Sequence, residues 1–207
     1  MKFYDYLRSS AAYRVRIALA LKGLRFEKAE IDLSAGVQHG EDYLSLNPQG
    51  LVPALEEDGQ VLFQSLAIIE YLEETHPEPR LLPGHPADRA RVRGLAQMIA
   101  CDIHPLNNLR VRKYLGEKFG QDEAAVEEWI RHWTAEGFEA IEAVLADDGL
   151  AGDFCHADEP GLADLCLIPQ CVVAARVKLD LAPYPTIRRI HANAMKLEAF
   201  EKTKPDK

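Results

Sequence analysis

The sequence predicts an α/β domain followed by an all-helical one. Three observations carry this. Every convincing strand-like run lies before residue 65. Residues 77–86 hold 4 of the chain's 12 prolines, a density that suits a linker between domains. Beyond them the apolar residues repeat at helical spacing and no run reads as a strand. At 207 residues there is room for one domain or two small ones, by a prior of ~100–200 residues per domain. The expected partition is 1–80 for the α/β domain, 81–86 for the linker and 87–207 for the helical domain.

Lys2–Leu7, short and aromatic-rich, is the first strand. A helix follows from about Ala11 to Lys22, with Ala12, Val15 and Leu19 on its apolar face. Ser9 or Ser10 is its N-cap and Gly23 its stop. Phe26–Leu33 is a second strand. Residues 34–50 read as loop with a helical turn near Asp42–Leu46, broken by Asn47-Pro48. Val52–Glu56 and Val61–Gln64, joined across Asp58-Gly59, form a hairpin, because a D-G step between apolar runs favours the tight hairpin turns. Ser65 then caps a helix carrying Leu66, Ile69 and Leu72. The order is β-α-β-α-β-β-α. After the proline-rich stretch, Arg89–Ile103 is helical. Asp122–Leu145 is a long amphipathic helix with Val126, Trp129, Ile130, Trp133 and Ile141 on one stripe. Leu162–Val177, apolar nearly all round, is expected as the buried central helix, bent at Pro169. Thr186–Phe200 is the last helix, and Glu201–Lys207 a charged tail.

Composition excludes some function classes. Apolar residues are 47% of the chain, enough for a core. Lys and Arg number 24 against 33 Asp and Glu, a net charge of −9. That balance argues against nucleic acid and anionic membranes as partners, since both need a basic surface. No apolar run approaches the ~18–20 residues of a membrane span. The first residues lack the apolar core of a secretory signal, so a cytoplasmic location is expected. The four cysteines, Cys101, Cys155, Cys166 and Cys171, show no C-x-x-C spacing. Neither a metal centre nor a dithiol redox site is expected, and buried free thiols fit better.

Three features could carry chemistry. Ser9-Ser10 sits where a strand turns into a helix, and a helix start offers free N–H groups and partial positive charge to a thiolate or oxyanion. Simple capping explains the same serines. Val52-Pro53 opens a strand, where a cis bond would turn the Val52 backbone outward toward a peptide-like ligand, although only ~5–6% of X–Pro bonds are cis. Gln64-Ser65 ends a strand and starts a helix, offering donors for a carboxylate or, again, a cap.

Together these pieces resemble the cytosolic glutathione transferases, whose first domain is thioredoxin-like and whose second is an all-α helical bundle. Ser9-Ser10-Ala11-Ala12 stands where the redox relatives carry C-x-x-C. The run Ser9-Ser10-x-x-x-Arg14-Val15-Arg16-Ile17-Ala18 resembles the signature of the zeta class, whose members include maleylacetoacetate and maleylpyruvate isomerases. Leu46-Asn47-Pro48, Val52-Pro53-Ala54-Leu55, Gln64-Ser65 with Glu70-Tyr71-Leu72, and Leu179–Pro185 fit the same pattern, so the likeness spans the chain.

The resemblance implies glutathione as cofactor and a homodimer as the working form. It implies that Ser9 hydrogen-bonds the sulfur, with Ser10 and the Ala11 N–H beside it. Gln38 would reach the glycyl carboxylate, Val52 (before Pro53) the cysteinyl backbone, and Gln64 with Ser65 the γ-glutamyl carboxylate. Asp102, His104, Asn108 and Arg110 match the cleft-facing stretch of bacterial isomerases, and Asp102 could serve the partner subunit's glutathione. Arg8 and Arg176 would hold the carboxylates of a small dicarboxylate substrate; surface ion pairing is their alternative. The implied reaction is cis–trans isomerisation by thiolate addition, rotation and elimination. A general conjugating transferase and a non-catalytic glutathione-binding protein are the alternatives. Two departures stand out. Ala11 replaces the cysteine that some members carry after the serine pair, and Gly161 replaces the Ser or Thr of the helix-start box Gly161-Leu162-Ala163-Asp164.

Overall fold

Strand β1 (Lys2–Asp5) is interior in a four-stranded sheet of order β2-β1-β3-β4. It pairs parallel with β2 (Glu27–Glu30) and antiparallel with β3 (Ala54–Glu57), which pairs with β4 (Gln60–Phe63) across Asp58-Gly59. The parallel pair needs a crossover, supplied by α1 (Ser10–Leu21). The computed structural model describes residues 1–205.

Alternation along β1 sets the two faces of the sheet. Phe3 and its register partner Leu55 are fully buried. Tyr4, Ala54 and Ile31 join Val52 and Tyr43 of α2 (Glu41–Leu46) in a cluster on the other side. Helix α3 (Ser65–Thr75) lies against β3, β4 and α1 and buries Ile68, Ile69 and Leu72. At its far end, Lys22 donates to Glu73 Oε2 at 2.9 Å and to the carbonyls of His76 and Pro79, so the end of α1 is fastened to residues 73–79.

Internal contacts divide the chain into two units: Met1–Leu81 with the segment from Leu197, and Leu82–Lys196. The helical domain expected over 87–207 thus gives up its last residues to the first unit. The reason is specific bonding. Tyr13 donates its hydroxyl proton to the Phe200 carbonyl at 2.6 Å, and Arg16 Nε donates to the Thr203 carbonyl at 3.0 Å. The proline-rich stretch is not a free tether either, because Leu81 and Leu82 are buried and the Leu81 N–H donates to Glu73.

The second unit is helical: α4 (Pro86–Gln97), α5 (Leu109–Phe119), α6 (Glu123–Asp147), α7 (Leu162–Arg176) and α8 (Pro185–Ala194). Asp122 caps α6, accepting from the Ala125 N–H at 2.9 Å. Helix α7 is the central one, buried at every residue from Leu162 to Cys171 and continuous through Pro169. The glycine at 137 lets α6 approach the 98–103 turn, since a Cβ there would collide with Ile103. The last expected helix breaks in two, α8 and α9 (Glu198–Glu201), around Met195–Leu197, and α9 belongs to the first unit. Cys155, Cys166 and Cys171 are buried as expected, but Cys101 is exposed. No helix among the described residues is long and apolar enough to cross a membrane.

Candidate active site

The turn after β1 and the start of α1 place the first group. Ser9, not Ser10, is the N-cap, with extended backbone and its Oγ accepting from the Ala12 N–H at 3.1 Å. A serine hydroxyl that accepts still has its own proton to give. Ser9 and Ser10 are half-buried, Ala11 is buried and Arg8 is exposed. No acidic residue stands in the first turn of α1, so the helix does not neutralise its own positive end.

The second group lies at the β4–α3 corner. Here the helix cap is Gln64 rather than the expected Ser65, and its side chain makes no capping bond. Gln64 takes φ +72°, a conformation that non-glycine residues hold only where the surroundings enforce it and that clusters at ligand sites. Its Nε2 donates to Gln49 Oε1 at 2.8 Å. Ser65 is the first helical residue, buried, and its Oγ accepts from Arg14 Nη1 at 3.2 Å. That bond brings the start of α3 and the first turns of α1 together. The first turn of α3 is also free of acids.

Three more predicted residues, Gln38, Val52 and Pro53, belong to the first unit. Gln38, in the 3₁₀ turn Val37–His39, is buried; its Nε2 lies 3.5 Å from the Leu33 carbonyl and its Oε1 has no partner. Gly50 packs above it in a left-handed turn at φ +61°, where a Cβ would stand 3.0 Å from the Gln38 carbonyl. Val52 and Pro53 are buried and joined by a cis bond, just before the β3 ladder begins at Ala54.

In the second unit, α4 widens into a π-helical turn over Met98–Ile103 and tightens into a 3₁₀ turn over His104–Asn107. Such π segments recur at functional sites. They present Asp102 exposed and His104 half-buried. Asn108 caps α5, accepting from the Arg110 N–H at 3.1 Å. Residues of α6 hold this stretch in place: Trp129 Nε1 donates to the Leu106 carbonyl at 2.9 Å, and Thr134 Oγ1 accepts from Asn107 at 3.0 Å. Arg110 borders a cavity of about 400 Å³ with Val111, Tyr114, Leu115 and Trp129; Asp102, His104 and Arg176 are not in its lining. Arg176 is exposed at the last position of α7. A second cavity of about 320 Å³, at the sheet, is lined by Met1, Lys2, Glu27, Glu56, Glu57, Asp58 and Gly59, with acids outnumbering cations. Four carboxylates against Lys2 and the amino terminus leave it net negative, which suits neither an acidic tripeptide nor a dicarboxylate. Among the described residues no cluster of His, Cys, Asp and Glu could hold a metal.

Residues 1–74 match the family described as glutathione S-transferase, N-terminal domain. Over 205 residues the chain is 47% identical to the maleylpyruvate isomerase of a Ralstonia species, covering 99% of this chain and 97% of the relative. It is also 47% identical to the maleylacetoacetate isomerase of Pseudomonas aeruginosa, covering 99% and 96%. A holo maleylpyruvate isomerase structure, described as a bacterial glutathione S-transferase of the zeta class, matches at TM-score 0.97 and 47% identity, covering 99% and 97%. The chain belongs to the zeta class of glutathione transferases. A further likeness is to the maleylacetoacetate isomerase of Methylobacterium extorquens AM1, solved with malonate and glutathione, at TM-score 0.96 and 46% identity over 99% and 96%.

The first-unit residues of this zeta-class chain fit glutathione on three observations. Two helix starts carry no acid in their own first turn. Gln38 is buried with its amide oxygen unpartnered, an acceptor suited to a peptide N–H, and with its Nε2 only 3.5 Å from the Leu33 carbonyl, a long contact that a carboxylate could replace. The Val52 backbone lies outside the strand ladder. The sequence reading missed the supporting roles of Arg14 and Gln49, which hold Ser65 and Gln64, and of Trp129 and Thr134, which hold Leu106 and Asn107 beside the predicted residues of the second unit. Their bonds join positions 15 to 51 residues apart. No local motif encodes such pairs.

Proposed function

We propose that this chain catalyses glutathione-dependent cis–trans isomerisation of a maleyl dicarboxylate, maleylacetoacetate or maleylpyruvate, to the fumaryl isomer. The observation that carries the reading is the pair of acid-free helix starts at Ser9 and Ser65, in a chain 47% identical to isomerases along its length. Bound glutathione supplies a thiolate that adds reversibly to the cis double bond, which lets that bond turn and re-form as trans.

This chain's own residues do the rest. Ser9 gives its free O–H to the sulfur, which favours the thiolate over a thiol whose ordinary pKa is ~8.5. The positive end of α1, with Ser10 and the Ala11 N–H, acts in the same direction. Gln38 holds the glycyl carboxylate through Nε2. Val52, set by Pro53, pairs with the cysteinyl backbone. Gln64 and Ser65 hold the γ-glutamyl carboxylate. Asp102, His104, Asn108 and Arg110 are the second unit's candidates for further glutathione contacts, Asp102 within its own subunit or toward the partner's ligand. Arg8 and Arg176 take the substrate's carboxylates and the negative charge that develops on its oxygens, because a planar guanidinium matches a carboxylate fork.

The working form we propose is a two-fold homodimer in the cytoplasm that acts on a small dicarboxylate and on neither nucleic acid nor membrane. Two-fold dimers are the commonest oligomers, and Phe63 stands 46% exposed on the edge strand β4. Sedimentation at micromolar concentration giving only the 23.2 kDa chain mass would count against the dimer.

Ultraviolet absorbance of either maleyl acid, followed with catalytic glutathione, tests the reaction. The expected result is complete conversion with glutathione recovered intact. Stoichiometric loss of glutathione would make the chain a conjugating transferase instead. A calorimetric titration without heat, and no competition by S-alkyl glutathione, would remove the cofactor.

A further inference from the structure

We infer that Arg14 is a positioning residue that fixes Ser65 as a hydrogen-bond donor to the γ-glutamyl carboxylate; this rests on the proposed glutathione site. Arg14 is in the second turn of α1 and only 2% exposed. Its Nη1 donates to Ser65 Oγ at 3.2 Å, across 51 residues of chain. The polarity of this bond is settled by chemistry. A guanidinium has five donors, no acceptor and a permanent charge, so the serine oxygen can only accept. The single hydroxyl proton of Ser65 must then point away from Arg14, and an O–H directed outward beside a helix start seeks an acceptor. Ser65 opens α3, so its backbone N–H is also one of the four without an intrahelical partner. Both donors of one residue are thereby set for an anion.

Charge acts in the same sense. Ser65 is 5% exposed, and a cation lies one hydrogen bond behind it where water screens little. No acid in the first turn of α3 opposes that field. The same bond fixes the spacing between the α1 start, which carries Ser9, and the α3 start. Without Arg14 the Ser65 hydroxyl is free to turn and give its proton to a nearby carbonyl, as serines at helix starts readily do.

A double-mutant cycle on glutathione binding, read by calorimetry, tests the inference. Wild type, Arg14→Met, Ser65→Ala and the double variant are titrated with glutathione and with its analogue amidated at the γ-glutamyl α-carboxylate. Ser65→Ala alone should weaken glutathione ~10–100-fold, the scale of a hydrogen bond to a charged group. Added to Arg14→Met it should cost less than ~3-fold more, because a misdirected hydroxyl has little left to lose. The amidated analogue should bind wild type and Arg14→Met within ~2-fold of each other. Arg14→Lys keeps a buried cationic donor and should fall between wild type and Arg14→Met; it replaces Arg14→Met in the cycle if that variant does not fold. Losses that add independently, or equal losses on both ligands, would make Arg14 merely structural and overturn the inference while leaving the site in place. No loss in Ser65→Ala would overturn the site and the inference together.

Discussion

Helices α1 and α7 begin in opposite ways. Both must deal with N–H groups that have no intrahelical partner. At α7 the problem is closed off inside the protein. Asp164 is 1% exposed and accepts from the Gly161 N–H through Oδ2 and from the Cys155 N–H through Oδ1, both at 2.9 Å. Gly161 has no side chain, so one half of the usual reciprocal box is missing, and the carboxylate alone does the capping. At α1 a neutral hydroxyl caps one N–H and no acid follows. A helix start that serves the fold carries its own anion; one that serves a ligand leaves that place open. Substitutions can break or sharpen this contrast.

The largest effect should come from Asp164→Ala. It strands two buried donors at ~1–3 kcal/mol each, so stability should fall by about 2–6 kcal/mol in denaturant titration. Glutathione affinity of the folded fraction should stay within about twofold. Burial raises the Asp164 pKa above that of an ordinary carboxylate, although its N–H partners pull it down. The folded state therefore holds this proton more tightly than the unfolded state. The resulting stability is complete below the unfolded value of ~3.9 and is lost as pH rises through the folded one. The stability of wild type minus that of Asp164→Asn should decline across that window and be flat above it. A difference that rises with pH there would contradict this.

Arg176 stands at the other end of α7, where a cation also suits the helix dipole. Arg176→Ala should lower kcat/KM for the maleyl dicarboxylate tenfold to hundredfold, from a charged contact of ~1.5–3 kcal/mol. Conjugation of a neutral electrophile should hardly change, and an equal fall in both would make Arg176 structural. Next, Ser10→Asp puts at α1 the charge that α7 already has. The helix should gain ~0.3–1 kcal/mol while glutathione binding weakens about tenfold, and tighter binding would defeat the contrast. The smallest effect is on the cap itself. Ser9→Ala should cost ~1 kcal/mol of stability, and Ser9→Thr should restore most of it in thermal unfolding.

Much of the fold was legible because local chemistry dictates it. Asp58-Gly59 marks the hairpin, Ser9 and Asp122 cap their helices, and the run from Leu162 announces a buried helix. Helix α5 was missed although Val111, Tyr114, Leu115 and Phe119 repeat at helical spacing from Leu109 to Phe119; none of its residues is buried, so the stripe is not part of the core. The join of the last segment to the first unit was equally hidden, because Tyr13–Phe200 and Arg16–Thr203 each span 187 residues. Of the candidate site, the motif residues could be read and their supports could not. Ser65 looks like a cap in sequence, and only the folded chain sets Arg14 against it.

The pKa of the glutathione thiol bound to the protein tests most directly whether the α1 start is an anion site. It can be read from thiolate absorbance against pH in wild type and in Ser9→Thr and Ser9→Ala. The account predicts a wild-type value at least about one unit below the free thiol's ~8.5, kept in Ser9→Thr and shifted upward in Ser9→Ala. A bound thiol that titrates near ~8.5 in all three proteins would contradict it.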